Sequence, residues 1–177
     1  MSEPVWVPMG ASPLPNKAVY PIDFRNPSVG SFPGNAYPLV LGRTSFEEWA
    51  WAFIATATGV VYGYFRVPEN APDGTAKLKF DLASAGAGPV NVTAYLTGIA
   101  DGETMNFAAW SWGPWTENVT LAANARKVWA TTGFTVGAAG TLSAGDLVVV
   151  RFARNGADAG DTNASVLELL YGAMVYD

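Results

Sequence analysis

The sequence has no cysteine and no histidine among its 177 residues. The first absence removes disulfides, thiolate nucleophiles and thiolate metal sites together. The second removes the commonest general base and the commonest zinc ligand. Charge is scarce too: 14% of residues are charged against 50% hydrophobic, a low share for a monomer that must cover itself with solvated side chains. No apolar run approaches the roughly 20 residues of a membrane helix, so no membrane partner is expected. Lys and Arg number 10 against 15 Asp and Glu, a net charge of −5. A nucleic-acid surface needs clustered cations, so no nucleic-acid partner is expected either. The opening Met1-Ser2-Glu3-Pro4 has neither a basic region nor a following apolar core, so no secretory signal is expected. A mean hydropathy of +0.16 without a membrane span points to contacts between proteins.

What the chain does have is β pattern, most strongly near its end. The turn Leu142-Ser143-Ala144-Gly145-Asp146 launches the run 147–154, in which Val148, Val150 and Phe152 share one face and Leu147, Val149 and Arg151 the other. A polar loop over 155–163 leads to a second run, 166–176. Read as a straight strand, that run has one apolar face of Leu167, Leu169, Tyr171, Ala173 and Val175. Its other face, with Val166, Leu170, Met174 and Tyr176, is nearly as apolar. A strand apolar on both sides must be covered on both sides. Val166, Leu170, Met174 and Tyr176 are therefore candidate subunit-interface residues, and a homo-oligomer, specifically a trimer, is expected.

Further strands follow from the two-residue period. Trp49, Trp51 and Phe53 share a face, and Val60 to Val67 is stopped by Pro68. Ala76, Leu78, Phe80 and Leu82 alternate with Lys77, Lys79 and Asp81. Val90, Val92, Ala94 and Leu96 alternate with Asn91, Thr93, Tyr95 and Thr97, and Val128 to Val136 alternates again. The best helical candidate, residues 121–128, is barely two turns long and has no apolar stripe. Eight antiparallel strands in a chain of this size predict an all-β jelly-roll sandwich over residues 46–177, with an immunoglobulin-like sandwich as the competing topology.

Residues 1–45 differ. Eight prolines from Pro4 to Pro38 exclude a helix or a central strand, yet Trp6, Tyr20, Phe24, Phe32 and Tyr37 call for burial. The expectation is an extended Pro-rich N-terminal arm that attaches the protein to a larger assembly through those aromatics. It lies over its own domain or a neighbour, or forms an edge strand and loops of the same domain.

With the strands placed, a resemblance emerges. The segments Phe65-Arg66-Val67-Pro68-Glu69-Asn70, Val128-Trp129 to Phe134, Ala144 to Asp158 and Leu169 to Tyr176 resemble jelly-roll virion structural proteins of tailed bacteriophages, of the head-decoration and tail-fibre-tip types. The resemblance covers residues 45–177 and leaves the arm outside. It implies a non-enzymatic virion protein, assembled in the host cytoplasm as a trimer and partnered with virion proteins such as the major capsid protein. It implies no catalytic residues and no cofactor.

The sharpest candidate binding residues are Trp110, Trp112 and Trp115. Exposed indoles could stack on sugar rings of a host-surface glycan; alternatively they anchor a subunit interface or plug one end of the sandwich. Asn155, Asp158, Asp161 and Asn163 are the oxygen donors that calcium takes, but in no EF-hand spacing, and no metal site is assigned. Glu47 and Glu48 are adjacent and so cannot form a glycosidase carboxylate pair, and nothing fixes Glu103 near either. Three Asn-X-Ser/Thr matches carry little weight without a secretory signal. Two function classes result: a capsid decoration or auxiliary head protein, and a tail-fibre or receptor-binding carbohydrate-recognition module.

Overall fold

The computed structural model describes residues 19–25, 36–43, 46–71, 73–103, 110–137 and 142–176. Twelve strands and no helix appear among them: β1 Val19–Pro21, β2 Asp23–Arg25, β3 Ala36–Arg43, β4 Phe46–Phe53, β5 Thr58–Arg66, β6 Gly74–Ser84, β7 Gly88–Ile99, β8 Trp112–Leu121, β9 Ala125–Ala130, β10 Phe134–Val136, β11 Leu147–Asn155 and β12 Leu167–Tyr176. Sheet A runs β10-β6-β12-β4-β3, with β1 added to β12 and β9 to β6; sheet B runs β2-β5-β11-β7-β8. Every strand pair is antiparallel. Eight of the strands make the jelly roll, four per sheet: β4-β12-β6-β9 faces β5-β11-β7-β8, and the chain passes from sheet to sheet except at β7 and β8, which are neighbours in sheet B. The jelly-roll sandwich expected from the alternation is the fold observed.

The core fills the space between the sheets. Phe80 of β6 packs on Trp129 of β9 at 5.3 Å and on Phe152 of β11 at 5.0 Å, and Phe53 of β4 meets Phe152 at 5.4 Å between ring centroids. Val90, Val92, Ala94 and Leu96 line the inner side of β7 and are fully buried. Each fully buried Val or Leu side chain contributes about 1.5–3 kcal/mol.

Several elements depart from the sequence reading, each for a local reason. The run 128–136 is two strands, β9 and β10. At the break, Thr131 donates its backbone N–H to the Leu78 carbonyl at 3.0 Å and accepts the Leu78 N–H on its Oγ1 at 3.1 Å. Its hydroxyl thus takes over a ladder position. The weak helical candidate over 121–128 is the end of β8, a turn and the start of β9.

Residues 19–25 and 36–43, expected in the arm, are strands of the two sheets. Ile22 marks a crossing: β1 pairs with β12 in sheet A and β2 with β5 in sheet B, while Ile22 donates its N–H to the Gly172 carbonyl at 2.8 Å. Tyr20 packs on Tyr176 at 5.9 Å and Phe24 on Phe80 at 6.4 Å. The boundary expected at residue 45 falls between β3 and β4, which pair with each other over their whole length. Proline is tolerated there because β3 is an edge strand, so the missing N–H at Pro38 interrupts no central ladder. Trp6, Phe32 and the side chain of Tyr37 lie outside the described residues.

The last strand holds the largest surprise. β12 carries a register shift between Leu169 and Tyr171 against β6, a bulge that adds one residue and reverses the alternation after it. Leu167 and Leu169 point inward before the bulge; Met174 and Tyr176 point inward after it, and all four join the core. Met174 is 0% exposed, so it and Tyr176 are interior residues of this chain and do not present a surface to a second copy. Tyr171 turns out to solvent instead, at 43% exposure. Val166 and Leu170 are half-buried. The bulge thus exchanges the two faces of the strand: beyond it Met174 and Tyr176 face the core, and Tyr171, Ala173 and Val175 face outward.

Candidate functional site

The outer face of sheet B is built from the positions that alternate with the core. On β11 the inward residues are Val148, Val150 and Phe152, so Val149, Arg151, Ala153 and Asn155 face outward. Register places Arg151 opposite Tyr62 of β5 on one side and Tyr95 of β7 on the other. Trp110, in the segment leading to β8, lies over this row. Its ring is 6.3 Å from Tyr62 at 20° and 5.6 Å from Tyr95 at 44°. The Arg151 guanidinium carbon sits 5.0 Å from the Tyr95 ring centroid, a cation–π distance. All four side chains are half-buried: each packs against its neighbours while keeping a face or edge towards solvent.

Beside the aromatic row runs a polar one. Asn155 donates from Nδ2 to Asn91 Oδ1 at 2.8 Å and to Thr93 Oγ1 at 2.9 Å. Asn91 in turn donates to Asn118 Oδ1 at 2.7 Å, and the Thr93 and Thr116 hydroxyls are 3.0 Å apart. Because these bonds fix the amide orientations, the exposed Asn118 and Thr116 present their remaining donor and acceptor capacity in set directions. Flat aromatic surface next to oriented amides and hydroxyls is the lining of a small-ligand site with a few placed polar groups.

The polar loop behind this row is held by a buried ion pair. Arg154 donates from Nε to Asp161 Oδ2 at 2.8 Å and from Nη2 to Asp161 Oδ1 at 2.7 Å, and both side chains are 0% exposed. The guanidinium also donates to the carbonyls of Phe53, Asn163 and Ser165. Asp161 Oδ2 accepts the Asn91 N–H as well, at 3.2 Å, which joins the loop to the strand carrying the polar row. The oxygen donors considered for calcium are thus engaged within the chain. Asp158 accepts the Gly160 N–H, and Asn163 accepts from Ser165 N and donates to the Gly86 carbonyl. Among the described residues no group of three or more His, Cys, Asp or Glu is placed to hold a metal ion. Glu103 accepts the Ala100 N–H in a local turn.

The three tryptophans expected together are placed apart in role. Trp110 belongs to the outer face of sheet B. Trp112 and Trp115 instead pack on Phe134 of β10, at 6.0 and 5.9 Å, and the Trp115 indole N–H donates to Thr132 Oγ1 at 2.8 Å. They close one end of the sandwich between β8 and β10. Tyr62, Tyr95 and Arg151 were not singled out by sequence. The available signal was an aromatic or a cation at an outward position of an otherwise alternating strand, as Tyr95 is among Asn91, Thr93 and Thr97.

Sheet A offers a second concavity, a cleft of about 270 Å³ lined by Ile22, Phe24, Trp51, Leu170, Tyr171 and Asp23 among others. It opens where β4 stops pairing with β12 at Leu169 and β1 has not yet begun at Ala173. Its lining is mostly apolar and lacks an oriented polar row.

No family model and no curated protein matches the sequence. The expected kinship with phage virion proteins therefore has no sequence match behind it. Solved structures with a similar strand arrangement include a family 35 carbohydrate-binding module from Clostridium thermocellum, 13% identical, covering 89% of this chain and 96% of that one, with TM-score 0.45. A carbohydrate-binding module from Cellvibrio mixtus lichenase 5A, in complex with cellotriose, is 13% identical over 80% of this chain and 86% of that one, TM-score 0.45. The enzymatically active domain of bacteriophage CBA120 tailspike protein 4 is 8% identical over 89% of this chain and 19% of that one, TM-score 0.41.

Proposed function

We propose that this chain is a non-catalytic carbohydrate-recognition module that docks a saccharide on the outer face of sheet B. The observation that carries the reading is the row of Tyr62, Arg151 and Tyr95 across three adjacent strands, overlaid by Trp110 and flanked by the Asn91, Asn118, Asn155 and Thr116 polar row. A sugar offers an apolar C–H face and a rim of hydroxyls; the aromatic row suits the first and the amide row the second. Of the two function classes open from the sequence, capsid decoration rested on the missing catalytic chemistry, the apolar excess, the arm and the last strand, and two of that strand's proposed interface residues, Met174 and Tyr176, lie in the core.

Glycan-array binding followed by titration of the hits tests the proposal. Trp110→Ala should weaken binding by about tenfold or more, since aromatic anchors in a binding patch commonly cost over about 1.4 kcal/mol when truncated. Trp112→Ala, at the closed end of the sandwich, should leave affinity unchanged in protein that remains folded by circular dichroism. Loss with Trp112→Ala and none with Trp110→Ala would move the site off sheet B and overturn the proposal.

A further inference from the structure

We infer that the ligand of this face is an acidic saccharide whose carboxylate pairs with Arg151, an assignment that rests on the carbohydrate reading above. Arg151 stands at the centre of the face, on the middle strand of sheet B, and is half-buried between Tyr62 and Tyr95. Its guanidinium faces the Tyr95 ring, and among the described residues no carboxylate is paired with it. The outward Arg126 of β9, by contrast, is paired with Asp81. Neighbouring outward positions hold Val149, Ala153, Thr93 and Thr97, none of them anionic. Among the described residues Arg151 thus has no carboxylate partner and lies amid aromatic side chains, in a protein of net charge −5.

That arrangement has a physical consequence. Partial burial strips water from a cation, and a ring face returns only part of what is lost. The guanidinium fork still matches a carboxylate in a two-point, charge-assisted geometry. A uronate ring lying on Trp110 would bring its carboxylate to Arg151 and its hydroxyls to the amide row. A neutral sugar would use the stacking surface and the amides but leave the fork unfilled.

The test uses the full chain and titration calorimetry at low and moderate salt. The probes are oligomers of galacturonate, alginate and hyaluronan, each beside its carboxyl-reduced neutral counterpart. At least one acidic oligomer should bind about tenfold or more tighter than its reduced partner, as expected for a charge-assisted bond, with the margin shrinking as salt rises. Arg151→Gln should erase the margin while preserving the weaker neutral binding, and Arg151→Lys should retain part of it. Trp110→Ala should weaken both forms. Equal binding of acidic and reduced forms, both lost in Trp110→Ala, overturns the uronate assignment and leaves the carbohydrate reading standing. Preference for a sulfated oligosaccharide over every uronate also overturns the assignment. Absence of binding to any array glycan overturns both. If Arg151→Gln fails to fold, the acidic-against-reduced comparison on the unaltered protein decides alone.

Discussion

Replacing Asp161 with alanine should unfold this protein well before its parent. Arg154 and Asp161 are joined by two hydrogen bonds of 2.8 and 2.7 Å, with both side chains at 0% exposure. Removing the carboxylate leaves the guanidinium buried, facing the carbonyls of Phe53, Asn163 and Ser165. Those dipoles accept its protons but carry no net charge to balance it. Breaking one side of a buried pair typically costs about 3–5 kcal/mol. For a chain of this size each kcal/mol lowers Tm by about 2–4 °C, so the expected drop is about 6–20 °C. Thermal and urea unfolding followed by circular dichroism measure it. Asp161→Asn, which retains an acceptor for the Asn91 N–H, should fall between parent and alanine variant. Arg154→Met combined with Asp161→Ala should cost less than the sum of the two single changes, because neither charge is then left alone. A destabilisation below about 1 kcal/mol for Asp161→Ala, the range of exposed pairs, would show that water reaches the guanidinium and refute the reasoning.

Two further outcomes follow from packing and burial. Burial, helped by Tyr20 and Asp73, raises the Tyr176 phenol from 10.0 to about 12; the unfolded chain therefore releases this proton first, so stability holds below about pH 10 and falls as pH climbs towards 12. Among the described residues neither the Tyr176 nor the Tyr20 hydroxyl has a hydrogen-bond partner, so Tyr176→Phe should flatten that alkaline loss without lowering Tm at neutral pH, as alkaline melting curves will show. Deleting residues 1–25 should cost several kcal/mol of stability, at about 1.5–3 kcal/mol for each large apolar side chain taken out of the core, because Ile22 is buried and Tyr20 and Phe24 pack on the core. The urea midpoint reads this cost, and an unchanged midpoint would mean that β1 and β2 add nothing.

The alternation that revealed the fold is local, and it revealed those strands whose neighbours are regular. β6 and β7 read directly, because Leu78 and Val92 sit at even spacing between outward polar residues and both are buried. β12 did not, because Leu167 to Tyr176 contains an extra residue that no hydropathy pattern marks. Its one signal was Gly172, a glycine inside a strand. A β-carbon there would meet the Phe24 ring at 2.7 Å and Phe80 at 3.3 Å, so glycine is what lets the β1–β2 crossing lie against the strand. Arg154 was partly legible, as a charge on the inward side of β11 that had to find a partner nearby. The aromatic row was legible one residue at a time only. Tyr62, Tyr95 and Arg151 become neighbours through the order β5-β11-β7, and residues this far apart in sequence announce no such order.

That strand order also explains why the candidate site and the most buried charge of the described residues stand back to back. Consecutive residues of a strand point to opposite faces, so β11 ends with Arg154 turned inward and Asn155 turned outward. Arg154 fixes Asp161, and Asp161 accepts the backbone N–H of Asn91. Asn155 meanwhile bonds the side chain of the same Asn91 and the Thr93 hydroxyl. Asn91 is therefore held at its backbone from the loop and at its side chain from the strand. The loop touches the polar row once more at Gly160, where a β-carbon would collide with the Asn118 amide. Orientation of the exposed amides thus depends on an ion pair on the far side of the sheet. Asp161→Asn, with its smaller expected cost in stability, should accordingly weaken saccharide binding at temperatures where the protein is fully folded, although Asp161 itself never reaches the ligand.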